Sequence, residues 1–196
     1  MVVIACNTLT VLGVDTLKGS HAFEIVGMSK GAQLVLAASS RKKIGVFATE
    51  FTINSGAHKA AILAADDGAD VYPQACPKFV PLIEGEQFDS AEVRAAVAEY
   101  AAPLKAAGID TLICPVRIIL LSKKRSKDEF GSEVTVIDPA DATAQDTKTV
   151  LAAEGLLRSE GAGTLEVCFT ADVERGARIA GRVLPQGKCL FKEIKL

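Results

Sequence analysis

IGVFATEFTINSG (residues 44–56) places a run of apolar and β-branched residues directly before a polar turn. The run Ile44–Ala48 is typical of a buried β-strand, and the stretch Asn54–Asp66 is typical of a helix. The same alternation recurs along the chain, where strands are predicted at Val2–Cys6, Asp70–Tyr72, Thr111–Cys114, Val134–Ile137 and Leu165–Phe169, and helices at Ser90–Ala107, Ala142–Leu157 and Val173–Val183. Strands that alternate with helices predict an α/β protein with parallel sheets covered on both faces, so that strand Val2–Cys6 is expected to be buried.

Composition and charge narrow the classes of function. The chain has 196 residues, 49% of them hydrophobic, and a net charge of −2, which predicts no strong attraction to nucleic acid or to an anionic membrane. No apolar stretch reaches the roughly 18 residues of a membrane span, and no basic segment precedes the first apolar residues as it would in a signal peptide. We expect a cytoplasmic protein, with the basic run 123–127 as a solvated loop.

The five cysteines and two histidines give no pattern typical of a metal or disulfide site. The cysteines are irregularly spaced without a CxxC pair, at positions Cys6, Cys76, Cys114, Cys168 and Cys189. The sequence therefore predicts no metal and a reducing compartment. The GxGxxG and GxxxxGK[ST] phosphate-loop motifs are also absent from the sequence, which removes the usual support for nucleotide binding.

Ligands of parallel α/β sheets bind beyond the carboxyl ends of the strands. The candidate residues are those that follow each strand: Cys6-Asn7-Thr8, Thr49-Glu50, Ala75-Cys76-Pro77, Pro115–Arg117 and Asp138. In the first group, the backbone N–H groups of a turn would stabilise the Cys6 thiolate. The side chains of Asn7 and Thr8 could hold a carboxylate by hydrogen bonds.

Five segments resemble, in order and in separation, segments of the glutamate racemases of the aspartate/glutamate racemase superfamily. They are VVIACNT (2–8), IGVFATEFTINSG (44–56), ACPKFVPLIE (75–84), GIDTLI (108–113) and VTVID (134–138). The resemblance extends from residue 2 to about residue 183. It implies an isomerase that interconverts L- and D-glutamate without a cofactor and supplies D-glutamate for peptidoglycan. The implied fold has two similar α/β domains with the site between them.

The resemblance also implies roles for particular residues. In the family one cysteine thiolate removes the α-proton and a second cysteine thiol returns a proton on the opposite face. Cys6 matches the first cysteine, and Glu84 matches a carboxylate that tunes the side of the second; Cys76 lies in a family motif but not at a catalytic position. The implied substrate-binding residues are Asn7, Thr8, Thr49 and Thr52.

The chain departs from the family in two places. After GIDTLI the family has Leu-Gly-Cys-Thr-His-Tyr-Pro-Leu, whereas here Val116 stands at the position of the cysteine and Ile118 at that of the histidine. Cys114 would lie about 6–7 Å deeper along the strand, too far to replace the missing thiol. The family's Asp-Ser-Gly and Tyr-Gly motifs precede the CNT motif, with which this chain almost begins, and an upstream part is expected to be lacking.

A local frameshift is our hypothesis for the second departure. Codons for Pro115–Ser122 can be chosen so that the reading two bases later spells Cys-Thr-His-Tyr-Pro-Leu-Ile. The coding DNA therefore tests whether residues 114–127 have been read in the wrong frame.

Domain organisation and function each keep alternatives at this point. Residues 1–34 with 136–196 are predicted to form the remnant of a first α/β domain, and residues 35–135 a second. Besides an impaired glutamate racemase, the chain fits a non-catalytic remnant or carboxylate-binding module, and an aspartate or hydantoin racemase is the alternative within the family. The expected partner is glutamate, and a homodimer stays open.

Overall fold

The computed structural model describes residues 1–114, 129–161, 163–184 and 189–195. The chain forms two compact units, Met1–Leu157 and Arg158–Leu196. The first contains β1 (Val2–Ile4), α1 (Asn7–Leu17), β2 (Ile25–Gly27), α2 (Ala32–Ala38), β3 (Lys43–Ala48), α3 (Glu50–Asn54), α4 (Ala57–Ala65), β4 (Asp70–Ala75), α5 (Phe79–Glu84), α6 (Ala91–Ala106), β5 (Thr111–Ile113), β6 (Thr135–Ile137) and α7 (Ala140–Ala153). The second contains β7 (Leu165–Phe169), α8 (Val173–Ala180) and β8 (Cys189–Glu193).

All strand pairs of the described residues are parallel, as predicted for an α/β protein. Four strands form one sheet in the order β4-β3-β5-β6, and β1 pairs with β2 and β7 with β8. The register places Ala48, the last residue of β3, beside Ala75, the last residue of β4. The turns that follow these strands therefore meet at one edge of the sheet. The predicted domain boundary between residues 135 and 136 falls inside β6, and the division into domains stays a prediction.

Strand β1 is less buried than its sequence predicts. It pairs with β2 alone among the described strands, from Val2 beside Ile25 to Ile4 beside Gly27. Val2 is 44% exposed and Val3 is 38% exposed, whereas Ile25 of the partner strand is buried. The prediction of a parallel strand is confirmed, but the prediction that it is buried is wrong, because no described element covers these two side chains.

The core of the first unit surrounds β3. Ile44, Val46 and Phe47 are fully buried or nearly so. The ring of Phe47 lies 6.0 Å from that of Phe79 in α5 and 5.9 Å from that of Phe130. Such aromatic contacts fix the position of β3, and with it the turn that follows.

The helix predicted over Asn54–Asp66 is α4, which begins only at Ala57, and Asn54 instead ends the separate helix α3. The break lies at Gly56, whose φ of 69° is the left-handed conformation that glycine adopts most readily. The structure also contains elements that the sequence analysis did not predict: α1, β2, α2, α3, α5 and β8.

A buried carboxylate fastens the start of β5 to the loop before β3. Asp110 accepts hydrogen bonds from the Ser39 hydroxyl at 2.6 Å, from the Ser40 hydroxyl at 3.2 Å and from the Arg41 backbone N–H at 2.6 Å. Burial alone would raise the pKa of Asp110, but these hydrogen bonds outweigh it and leave the pKa below its ordinary value.

His58 is buried near the start of α4. Its Nδ1 lies 3.2 Å from the Lys30 carbonyl oxygen, and its Nε2 has no hydrogen-bond partner among the described residues. Burial lowers the pKa of His58, and the charge of Lys30 lowers it further, against the opposing effect of the Lys30 carbonyl. The folded chain therefore favours the neutral imidazole.

None of the helices in the described ranges is both long and apolar enough to cross a bilayer.

Candidate active site

The segment Cys6-Asn7-Thr8 forms the turn from β1 into α1. Cys6 is the N-cap residue of α1, has extended backbone angles and is exposed. Its side chain does not cap the helix, so the N–H groups of the first turn keep their capacity to bind an acceptor. Asn7 and Thr8 are the first two helical residues, and both are half-buried.

Thr49 and Thr52 occupy the corresponding turn from β3 into α3. Thr49 is the N-cap of α3, and its hydroxyl accepts a hydrogen bond from the backbone N–H of Thr52 at 3.4 Å. Thr52 is only 1% exposed. A threonine at the N-cap begins a helix because its hydroxyl replaces one missing backbone acceptor, so that even the short α3 starts at a defined residue.

The hydroxyl groups of Thr8, Thr49 and Thr52 form a triangle, which we call the threonine cluster. The Oγ1–Oγ1 distances are 3.0 Å from Thr8 to Thr49, 3.2 Å from Thr8 to Thr52 and 3.0 Å from Thr49 to Thr52. Thr8 follows β1 and the other two follow β3, so that two sheets contribute to one polar cluster. The structure thus brings together three residues that the sequence analysis placed in the substrate site.

The chemistry of the threonine cluster suits an anionic ligand. Each hydroxyl has one proton to donate and can rotate about its C–O bond, so the protons can turn from their neighbours towards a carboxylate. The N-terminal end of α1, one residue before Thr8, adds the positive end of the helix dipole. The exposed Cys6 lies two residues before Thr8, so that a potential base and one hydroxyl of the threonine cluster belong to the same turn.

Comparison with known proteins identifies the family of this arrangement. The profile of the Asp/Glu/Hydantoin racemase family matches residues 1–147, which include Cys6 and the whole threonine cluster. The chain belongs to the Asp/Glu/Hydantoin racemase family.

Among the members of that family, glutamate racemases are similar to this chain. The glutamate racemase of Lactiplantibacillus plantarum is 40% identical over 77% of this chain and 56% of its own length. The glutamate racemase of Lysinibacillus sphaericus strain C3-41 is 33% identical over 100% of this chain and 75% of its own length. The crystal structure of a Bacillus anthracis glutamate racemase aligns with a TM-score of 0.86 at 28% identity, over 99% of this chain and 72% of the other. The chain spans little more than half of the first relative and about three quarters of the other two.

Two further cysteines follow strands of the four-stranded sheet. Cys76, just after β4, and Cys114, just after β5, are both buried. Burial raises the pKa of the Cys76 thiol, and the neighbouring Cys114 raises it further. The Cys76 thiol therefore stays protonated at neutral pH, which agrees with its place in a family motif outside the catalytic positions.

Glu84 and Val116 are not connected with the threonine cluster by the described contacts. Glu84 is the exposed last residue of α5, and within the described ranges its carboxylate makes no hydrogen bond or ion pair with Thr8, Thr49 or Thr52. Val116 lies outside the described residues, as does the rest of the segment 115–128. The roles of both residues stay predictions.

The sequence analysis did not single out Thr10, which lies one helical turn beyond Cys6. Its hydroxyl accepts a hydrogen bond from the backbone N–H of Met28 at 3.0 Å and donates one to the carbonyl of Ile4 at 3.3 Å. No sequence signal identified it, because α1 was not predicted and the partners of the hydroxyl lie on other elements. Only the three-dimensional structure reveals this contact.

Proposed function

We propose that this chain is a cofactor-independent amino-acid racemase-type protein whose substrate is glutamate. A fully active enzyme of this kind would supply D-glutamate for peptidoglycan in the cytoplasm, whereas this chain is expected to be impaired by the valine at position 116. The similarity to glutamate racemases supports the choice of substrate within the family. An aspartate or hydantoin substrate is the alternative that the family leaves.

In the proposed reaction Cys6 acts as the base. Its thiolate takes the α-proton, the S–H bond forms as the Cα–H bond breaks, and the electron pair stays on the α-carbon and the adjoining carboxylate. Asn7 and the threonine cluster would hold the substrate by hydrogen bonds, so that the α-carbon lies near the sulfur. Proton transfer of this kind needs an approach of about 3–3.5 Å between the reacting atoms.

The threonine cluster is the observation that carries the proposal. Hydrogen bonds between residues 41 and 44 positions apart in the chain assemble three hydroxyls, one of which belongs to Thr8, two residues after the exposed Cys6. These groups are those needed to bind a carboxylate and to remove a proton beside it. Glu84 is proposed to tune the side of the second proton transfer.

Val116 limits what the chain can do. A valine side chain neither gives nor accepts a proton, so that the carbanion would regain its proton from the Cys6 side. We expect α-proton exchange with little inversion.

Incubation with L-glutamate and, separately, D-glutamate in D₂O tests the proposal. Proton NMR measures the loss of the α-proton signal, and chiral chromatography measures inversion. The expected result is deuterium incorporation into one or both enantiomers without efficient inversion, abolished by Cys6→Ser. The variant Val116→Cys should raise inversion relative to exchange. No exchange with glutamate by the wild-type chain, under conditions in which it is folded, would contradict the assignment of Cys6 as a base.

A second candidate is a carboxylate-binding module without turnover. Valine at position 116 favours it, because one of the two required proton carriers is absent from the sequence. Titration calorimetry with glutamate and aspartate separates the two functions. Binding without exchange would support the module, and binding of aspartate in preference to glutamate would favour the alternative substrate.

The oligomeric state belongs to the same proposal. Association into a homodimer is tested by sedimentation equilibrium with and without glutamate.

A further inference from the structure

The turn that carries Cys6 is short. Only Ala5 and Cys6 separate β1, which ends at Ile4, from α1, which begins at Asn7. Because the Cys6 side chain does not cap the helix, the direction of its thiol depends on the backbone of this turn. Whatever fixes the backbone on both sides of Cys6 therefore fixes its Cβ and limits the positions that the thiol can reach.

Thr10 binds both ends of this turn. Its backbone N–H donates to the Cys6 carbonyl at 2.9 Å, and its hydroxyl donates to the Ile4 carbonyl at 3.3 Å. The first bond is the ordinary helical one that almost any residue would make. The second requires a hydroxyl group, which distinguishes threonine and serine from valine and alanine.

Packing and a third hydrogen bond restrict the rotation of the Thr10 side chain. The hydroxyl oxygen accepts from the Met28 backbone N–H at 3.0 Å. The methyl group lies so close to Gly27 that a Cβ at position 27 would come within 2.7 Å of it. One side chain thus joins the end of β1, the first turn of α1 and the residues that end and follow β2.

We propose that Thr10 is the positioning residue that aims the Cys6 thiol at a substrate held by the threonine cluster. Thr10 touches neither the substrate nor the sulfur, and it acts through the backbone of the turn. This inference rests on the proposed function, in which Cys6 removes the α-proton. A displacement of about 1 Å is enough to slow such a step about 100-fold, which makes a single clamping hydroxyl important.

Three variants separate positioning from stability. Thr10→Val keeps the shape but removes the hydroxyl, and Thr10→Ser keeps the hydroxyl. Thr149→Val is the matched control, because the Thr149 hydroxyl also bonds a backbone carbonyl, that of Gln145 at 3.0 Å on the exposed surface of α7. Thermal unfolding of each variant is measured first, and Thr10→Ala replaces Thr10→Val if the latter does not fold.

The main measurement is the rate of α-proton exchange in D₂O as a function of glutamate concentration. We expect Thr10→Val to lower kcat about 10-fold or more and to change KM by less than about 2-fold, because the substrate-binding hydroxyls are untouched. Thr10→Ser should keep the rate within about 3-fold of the wild type, and Thr149→Val should leave it unchanged. A wild-type rate in Thr10→Val, or an equal loss in Thr10→Ser, would overturn the inference.

Alkylation by iodoacetamide tests Thr10 even if the wild-type chain exchanges no protons. Peptide mass spectrometry measures the reaction rate of Cys6 relative to that of the exposed Cys168, which lies in the second unit and serves as an internal reference. Thr10→Val should change this ratio about 3-fold or more, and Thr10→Ser and Thr149→Val should not. An unchanged ratio in Thr10→Val would refute the role of Thr10, whereas failure of exchange with a changed ratio would refute only the proposed function.

Discussion

Thr8 and Thr49 are 41 positions apart in the chain, yet their hydroxyl oxygens lie 3.0 Å apart. Thr8 belongs to the turn that follows β1, and Thr49 to the turn that follows β3. These strands lie in separate sheets, so that this contact joins two parts of the first unit that no ladder of the described strands connects. The affinity of a ligand that binds both hydroxyls would therefore depend on the relative position of these two parts.

Replacement of Thr49 by alanine is expected to lower both the free energy of unfolding and the affinity for glutamate. The loss of affinity should exceed what the loss of stability alone would cause. Thr49→Ala removes an N-cap, which lowers the free energy of unfolding by about 1 kcal/mol. It also removes one hydroxyl of the threonine cluster, for which we expect a loss of about 1.4 kcal/mol, or tenfold, in affinity. Urea unfolding and titration calorimetry measure the two effects.

Ser90→Ala is the control for this prediction. Ser90 is the N-cap of α6, and its hydroxyl accepts from the Val93 backbone N–H at 3.2 Å. It should show a similar loss of stability with unchanged affinity. Equal affinities of Thr49→Ala and the wild type would remove Thr49 from the binding site.

Asp110→Ala is expected to lower the free energy of unfolding by about 3 kcal/mol, because it leaves the donors of Ser39, Ser40 and Arg41 without their charged acceptor. The control Asp138→Ala removes a carboxylate that accepts from the Ala140 backbone N–H alone among the described bonds, and should lower it by about 1 kcal/mol. Chemical unfolding at neutral pH measures both.

The pH dependence of Asp110 has a definite sign. Since its folded-state pKa is lowered, its contribution is complete above the unfolded-state pKa of about 3.9 and is lost as the pH falls through the folded-state value. In acid the difference between wild type and Asp110→Ala should therefore shrink. A difference that stayed constant down to the lowest pH at which the chain is folded would contradict the lowered pKa.

His58 is expected to make the protein less stable in mild acid. Its pKa is lowered in the folded state, so that its contribution is complete above about pH 6.5 and is lost as the pH falls through the folded-state pKa. His58→Asn keeps a group that can bond the Lys30 carbonyl but does not titrate. Between about pH 8 and pH 5, a range that spans the ordinary pKa of histidine, the free energy of unfolding should fall less steeply in this variant than in the wild type.

A fall in the free energy of unfolding that was as steep in His58→Asn as in the wild type would contradict the assignment of His58 as the titrating group.

Phe47→Ala is expected to lower the free energy of unfolding by about 3–5 kcal/mol, because it empties the space among the rings of Phe79, Tyr100 and Phe130. Phe23, which is 47% exposed, is the control, and its replacement by alanine should change the value by about 0.5 kcal/mol or less. Similar losses in the two variants would mean that β3 is not the centre of the core.

The nucleotide sequence of the gene tests the frameshift hypothesis. If residues 114–127 are read in a displaced frame, the codons for Pro115–Ser122 must spell Cys-Thr-His-Tyr-Pro-Leu-Ile when read two bases later. Any codon in this stretch that forbids one of those residues disproves the hypothesis. Mass spectrometry of the corresponding tryptic peptides shows which frame the cell translates.

Periodicity and turn residues were sufficient to predict the parallel α/β fold and strands such as Leu165–Phe169, which has the predicted bounds. They were not sufficient for α1, which contains several residues of low helix propensity. These residues, which make the helix hard to recognise from its own sequence, are Thr8, Thr10, Val11 and Gly13. Periodicity also overestimated the burial of β1, because Val2 and Val3 are apolar whether or not another element covers them. The burial of a strand depends on the elements that pack against it, and the sequence of the strand itself does not show which elements these are.

The candidate site was predicted only in part for a similar reason. The resemblance to a family pointed to Cys6, Thr8, Thr49 and Thr52, and their roles in a substrate site stay predictions. That the three threonine hydroxyls bond to one another follows from the position of β3 and from the start of α1, which are properties of the folded chain. The Thr10 contacts with Ile4 and Met28 lie outside any motif, and only coordinates show them.

The unequal surroundings of β1 and β3 have a consequence for the energetics of ligand binding. β3 is buried between two neighbours, whereas the exposed β1 has one described neighbour, so that local opening should begin at β1 and the turn of Cys6. Thr8 belongs to the labile part and Thr52 to the rigid part. A carboxylate bound to both would oppose the local opening of the β1–α1 segment. Part of its binding free energy would be used to keep this segment folded, which lowers the observed affinity. Conversely, the segment would be protected from opening in proportion to the fraction of the protein that has ligand bound.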